Sequence, residues 1–288
     1  MKRLIVLSVL FLLLYSCTKR EELIIYGNVP PADNTVSNVF RENYINKTYI
    51  SVLGRKPTDT EFLSARQKLS SYELKKSDRE SFVDEVLAKP DYFRRVYDLA
   101  RAEYLNNSDS TDIQTFIDVF NLFLSDTSYQ AIWPAIQAER DKLIDLKNAP
   151  LDFANGVIDI KGLYKRCINN HIYDQINMGT ENFVVSMFQH FMYRYPTLQE
   201  LEDGKKMVDG FYAYLFYQEG NTKDDFIRIF FDADAYYEGR VRDLYKRYIF
   251  REPTIMEMKE GAELYKSTNN YKALQKLILT SDEFAGIK

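Results

Sequence analysis

The chain has 288 residues, with 38 Lys and Arg against 42 Asp and Glu, a net charge of −4. No basic stripe is present to cover a phosphate backbone, which argues against a nucleic-acid partner. Aromatic residues are 15% of the sequence, with 22 Tyr and 19 Phe, enough to fill cores between helices and to leave some rings for a surface.

The first predicted element is a leader. Lys2 and Arg3 precede an apolar run from Leu4 to Leu14, and the small residue Ser16 stands before Cys17. The run is about 11 residues, against the roughly 20 needed to span a bilayer. The string Leu14-Tyr15-Ser16-Cys17 resembles the lipobox of bacterial lipoproteins. That resemblance implies a signal peptide over 1–16, cleavage before Cys17, and lipidation of its sulfur with a diacylglycerol such as a palmitate ester. Attachment to the outer membrane of the cell envelope would then be through the lipid, which holds firmly when two or three acyl chains are present. Thr18-Lys19-Arg20-Glu21-Glu22 is similar to the surface-export signal of lipoproteins in Bacteroidota. Residues 27–38, with Pro30 and Pro31, read as a polar tether, so 17–40 is expected to be a lipidated linker. With Cys17 lipidated, Cys167 has no disulfide partner.

The body carries an internal repeat. The string R-x-P-T-x-x-E occurs at Arg55, Pro57, Thr58 and Glu61; at Arg194, Pro196, Thr197 and Glu200; and at Arg251, Pro253, Thr254 and Glu257. Before each Arg, apolar residues fall on one helix face: Ile45, Tyr49, Val52, Leu53; Val184, Phe188, Phe191, Met192; Val241, Tyr245, Tyr248, Ile249. After each Glu a second face follows, with a small residue (Ala65, Gly204, Gly261) at its centre, which permits close helix approach. Thr followed three residues on by Glu is a capping box, and the preceding Pro disfavours helix in the residue before it. The motif thus predicts helix, stop, capped helix. A third helix is expected at Phe82-Val83, Val86-Leu87, Tyr92-Phe93; at Phe226-Ile227, Phe230-Phe231, Tyr236-Tyr237; and at Leu274, Leu277-Ile278, Phe284. The fold class expected is all-α, with tandem three-helix repeats in two lobes. The repeats span 41–105, 181–238 and 239–288, and a divergent helical segment, 106–180, lies between. Within it Ile113, Phe116, Ile117 and Phe120 give a helical stripe, Trp133-Pro134 marks a break or start, and Leu163, Arg166, Cys167 and Asn170 fall on a further helix.

A helix ending in Arg-x-Pro, an acidic residue opening the next helix, and the tail Thr280-Ser281-Asp282-Glu283-Phe284 resemble the helical modules of phycobilisome linkers and a related module of bacterial surface proteins. The resemblance covers 41–93 and 183–286 and implies assembly rather than catalysis or pigment binding. The family's Gly before Arg is present as Gly54 and is replaced by Tyr193 and Phe250.

The three motif arginines are expected to tie a helix end to a carboxylate or to free carbonyls. Cys167 and His171, four apart, suggest one helix face and either a nucleophile pair or a buried thiol beside a His; too few ligands are near for a metal. His190 is expected in or beside the core. Asp232-Ala233-Asp234 lacks the glycine and distal ligands of a calcium loop and reads as a helix end. No phosphate loop, nucleophile elbow or zinc-protease string occurs, and no cofactor is expected. The expectation is a non-enzymatic, lipid-anchored scaffold with a protein partner in the envelope, acting through aromatics exposed on the repeat tails. The alternatives are a glycan-binding surface lipoprotein with an aromatic-lined groove, and a hydrolase with two carboxylates across a cleft.

Overall fold

The computed structural model describes residues 35–71 and 73–287. The leader, Cys17 and most of the expected tether lie outside the described residues. Helix dominates: α1 (Asn38–Leu53), α2 (Asp59–Lys68), α3 (Lys76–Leu87), α4 (Pro90–Tyr104), α5 (Ser110–Ser125), a 3-10 turn (Thr127–Ile132), α6 (Trp133–Ala154), α7 (Ile160–Ile168), α8 (His171–Ile176), α9 (Thr180–Met192), α10 (Leu198–Val208), α11 (Lys223–Asp232), α12 (Asp234–Tyr248), α13 (Ile255–Thr268), α14 (Tyr271–Leu279) and α15 (Asp282–Ala285). Two three-residue strands, β1 (Ala213–Leu215) and β2 (Gln218–Gly220), interrupt the series between α10 and α11. No helix among the described residues is long and apolar enough to cross a membrane.

The motif turns share one geometry. A left-handed residue follows each of the three helices, directly after α1 and α9 and one residue later after α12: Gly54 at φ 72°, Tyr193 at 54° and Phe250 at 62°. Such a residue ends a helix because its reversed backbone cannot continue the hydrogen-bond ladder. Two residues after each motif Arg comes Pro, then the Thr cap. Thr58, Thr197 and Thr254 accept from the N–H of Glu61, Glu200 and Glu257 at 3.3, 3.2 and 3.3 Å. The glutamates return to the Thr N–H groups at 2.8, 2.8 and 2.7 Å. The divergent segment contains the same turn with other residues. Asn106, left-handed at φ 48°, follows α4, and Asp109 with Asp112 closes a capping box that opens α5.

The expected third helix is broken. Phe82 to Leu87 lie on α3, while Tyr92 and Phe93 lie on α4, because Pro90 starts a new helix after Lys89. Ala233 and Ser281, both extended, make the same break before α12 and α15. The register of the last copy also shifts: Leu274-Gln275, Ile278-Leu279 and Phe284-Ala285 point inward, while Leu277 is half-buried. At that register it aligns with 226–237 without a gap, as does α7–α8 with Leu163-Tyr164, Cys167-Ile168 and Tyr173 buried and Asn170 as the cap. Asn170 is therefore not part of the helix that holds Cys167. The expected boundaries at 40/41 and 238/239 fall inside α1 and α12.

The small central residues do bring helices together. A Cβ on Gly204 would lie 3.0 Å from Val184 and Phe226, and one on Gly261 would lie 2.8 Å from Val241 and 3.1 Å from Leu274. Gly239 is tighter still, with its Cβ position only 1.9 Å from the Phe191 carbonyl oxygen, so α12 crosses α9 backbone to backbone.

The last helices return to the first. Tyr44 donates to the Leu279 carbonyl at 3.1 Å, Tyr92 to Gln275 at 2.7 Å, and Lys276 to Asp84 at 2.6 Å. Arg79, almost wholly buried, donates to Asp282 at 2.5 Å. One continuous apolar cluster runs from Tyr44 to Ala285, with no gap that separates two lobes.

Candidate functional site

Each motif Arg closes its own turn. Arg55, Arg194 and Arg251 hold Glu61, Glu200 and Glu257 bidentately at 2.6–2.9 Å and also reach the carbonyl of the next residue. Arg55 and Arg251 add a second carboxylate from the next helix, Asp91 at 2.7 Å and Glu283 at 2.8 Å. The hydrogen bond from Arg251 holds the Glu257 carboxyl down at about 2, against its burial. These residues brace the fold, as expected, and leave little of the guanidinium for a ligand.

Cys167 and His171 do not share a face. α7 stops at Ile168, and His171 opens α8 packed against the rings of Phe116 and Phe120. Cys167 is fully buried, and desolvation pushes its thiol up to about 12, which disfavours the thiolate at neutral pH. His190 lies half-buried with Nδ1 3.1 Å from the Tyr173 hydroxyl, and burial, then Arg240, lower its pKa to about 4.

A buried charge cluster was invisible in the sequence. Arg240, 1% exposed, donates to the His190 carbonyl at 2.6 Å and lies 5.1–5.8 Å from the rings of Tyr164, Phe191, Tyr193 and Tyr236. Asp243 accepts from Tyr193 at 2.6 Å and from Arg247 at 3.0 Å. Burial pushes the Asp243 carboxyl up, but Arg247 and Arg240 outweigh it and hold it ionised. It is the one acidic side chain buried among the described residues, and it is committed to the fold.

The repeat-tail aromatics are not a surface. Tyr92, Tyr236, Tyr237 and Phe284 are buried, because the tail opens the next helix and its rings fill the joint. Single rings are exposed at Phe40, Tyr195 and Phe250, but the exposed rings that cluster lie on and beside the β-hairpin. β1 and β2 pair antiparallel, with Ala213 opposite Gly220 and Leu215 opposite Gln218. Ala213 and Leu215 face inward; Tyr212 and Tyr214 therefore face out, as strand alternation requires. The turn is Phe216-Tyr217, both left-handed at φ 49° and 63°, a pairing that hairpins usually give to Asn-Gly. Phe216 is kept there by packing on Phe188 and Phe230, which leaves Tyr217 wholly in solvent. Phe211, Tyr212 and Tyr214 are each more than 60% exposed. Thr180 donates to Asp209 at 2.6 Å, which draws the α8–α9 link, with exposed Ile176 and Met178, to the base of the hairpin.

An aromatic-lined groove of about 260 Å³ exists elsewhere, between Phe93, Phe153 and Tyr271, but the Lys272 ammonium sits 4.3 Å above the Phe93 ring. The hairpin had a legible signal, an aromatic run between Gly210 and Gly220, masked by the lack of an Asn-Gly turn.

No protein-family model matches this chain, and no curated protein and no solved structure matches it.

Proposed function

We propose that this chain is a membrane-anchored lipoprotein that works as a non-enzymatic helical scaffold, binding an envelope protein through its aromatic hairpin. The observation that carries the reading is the exposed cluster of Phe211, Tyr212, Tyr214 and Tyr217 around a turn held in an unfavourable backbone form. Two left-handed aromatic residues cost on the order of 1–3 kcal/mol each, and such strain gathers at functional sites. Tyr, Phe and Met are also the residues that protein interfaces favour.

The body is read as a tandem array of four three-helix units rather than three. What supports this is the left-handed stop at Gly54, Asn106, Tyr193 and Phe250, each followed by a capping box. The matching breaks at Lys89, Asn170, Ala233 and Ser281 support it too. The divergent segment is then a second unit enlarged by the α5–α6 helical hairpin. α6 and the β-hairpin both lie between the second and third helices of their units, and insertions in repeat proteins map to loops on one face, often the binding face.

The experiment is a crosslinked pull-down of the intact protein from native membranes, beside Cys17→Ala and a Tyr212→Ser/Tyr214→Ser/Tyr217→Ser variant. A membrane-protein partner captured at stoichiometry and lost in both variants supports the reading. A partner indifferent to the hairpin refutes the site, and binding of a soluble glycan by the hairpin refutes the protein class. Failure of Cys17 to incorporate labelled palmitate would remove the anchor.

A further inference from the structure

A cavity of about 20 Å³ lies where α1, α4, α7, α12 and α14 converge, and nothing in the scaffold reading uses it. It opens beside Glu103, the exposed member of its lining. Its wall is rich in donors. The side chains of Tyr104, Tyr164 and Tyr271 are all more than nine-tenths buried, line the cavity, and have no hydrogen-bond partner among the described residues. Tyr248 accepts from Gln275 at 2.7 Å, so its own proton is free to be donated. Arg95 makes no hydrogen bond or ion pair among the described residues, and its Nε is buried. Arg247 gives Nη2 to Asp243 and keeps Nη1 and Nε.

Acceptors are scarce. Glu103 is the one carboxylate in the lining, and no cation stands within ion-pair distance of it. Among the charged residues of the lining, Arg95 and Arg247 face Glu103, an excess of one positive charge. A buried donor without an acceptor costs about 1–3 kcal/mol, and Arg95 Nε is one such donor at this cavity. The volume admits one atom-sized guest, which excludes a carboxylate or phosphate.

We propose that this cavity binds a single halide ion, chloride under ordinary conditions, held by the Arg95 and Arg247 guanidiniums and the tyrosine hydroxyls. The site draws on helices from both ends of the chain, so the ion joins segments that are far apart in sequence.

The test uses the full chain in its lipid or detergent form, at fixed ionic strength, with chloride exchanged for gluconate. Chloride at about five times its dissociation constant should raise Tm by about 2–4 °C, and Tm should go on rising with the logarithm of chloride concentration. Crystals soaked in bromide should show one anomalous peak in the cavity. Arg95→Gln should abolish both effects, the chloride shift being read against the variant's own Tm in gluconate. Glu103→Gln should tighten binding, because it removes the one repelling charge. Equal Tm in both salts with no bromide peak, an ordered water only, overturns the proposal. So does halide binding that Arg95→Gln leaves intact.

Discussion

Phe250→Gly and Tyr193→Gly make the same change at corresponding turns, and the structure predicts opposite signs. Both residues are left-handed, at φ 62° and 54°. That conformation costs a non-glycine residue about 1–2 kcal/mol, while glycine loses about 0.5–1 kcal/mol more chain entropy on folding. Phe250 is 81% exposed, so its ring contributes little burial. Phe250→Gly should therefore stabilise by about 0.5–1 kcal/mol, a rise in Tm of about 1–4 °C. Tyr193 is different. Its hydroxyl donates to buried Asp243 at 2.6 Å and its ring lies 5.6 Å from the Arg240 guanidinium. Losing a hydrogen bond to a charged group costs about 1.5–3 kcal/mol, and losing the packed ring about 1–2 kcal/mol more. Net of the relieved strain, Tyr193→Gly should destabilise by about 2–4 kcal/mol. Urea unfolding of the full chain with both variants decides it. If Phe250→Gly destabilises, or the two move together, the strain argument is wrong.

Other expected outcomes follow from named contacts. Gly261→Ala puts a methyl 2.8 Å from Val241, and should cost about 1–3 kcal/mol; the double variant with Val241→Ala should recover part of this in a mutant cycle. Cys167 should resist thiol reagents in the native protein and react at once in denaturant, since burial raises its pKa to about 12. In acid, two windows should separate. His190 is held at about 4 when folded against an ordinary 6.5, so the unfolded chain protonates first and stability falls between 6.5 and 4; His190→Gln should flatten that slope. Glu257 is held at about 2 against 4.5, so its stabilisation is complete above 4.5 and is lost as pH falls to 2; Arg251→Gln should flatten that lower slope.

The turns were readable because their chemistry is local. Thr58 and Glu61 are three residues apart, and so are Thr197 and Glu200, so sequence spacing alone carries the cap. Reading stopped where spacing stopped. Asp109 and Asp112 make the same capping box with other residues and a shorter approach from the left-handed residue, so letters did not reveal it. The broken third helix was missed because its apolar period runs on across Lys89 and Ala233 while the backbone does not. The Arg240–Asp243–Arg247 cluster reads as a surface charge pattern at helical spacing. Only the crossing at Gly239, set by distant α9, puts it inside. The tail aromatics failed for the same reason: exposure depends on which helix arrives later, and a single sequence does not record that.

The return of α14 and α15 onto α1 and α3 constrains the order in which this molecule can form. Tyr44 waits for Leu279, Arg79 for Asp282 and Tyr92 for Gln275, separations of 235, 203 and 183 residues. An open solenoid can fold from its first unit onward as the chain emerges. Here the first helix has one flank that no nearby segment covers, so it stays loosely held until nearly all of the described chain is present. Closing loops of this length is slow, because their entropy is lost before the contacts repay it. A polypeptide built this way becomes rigid only after its last helices arrive.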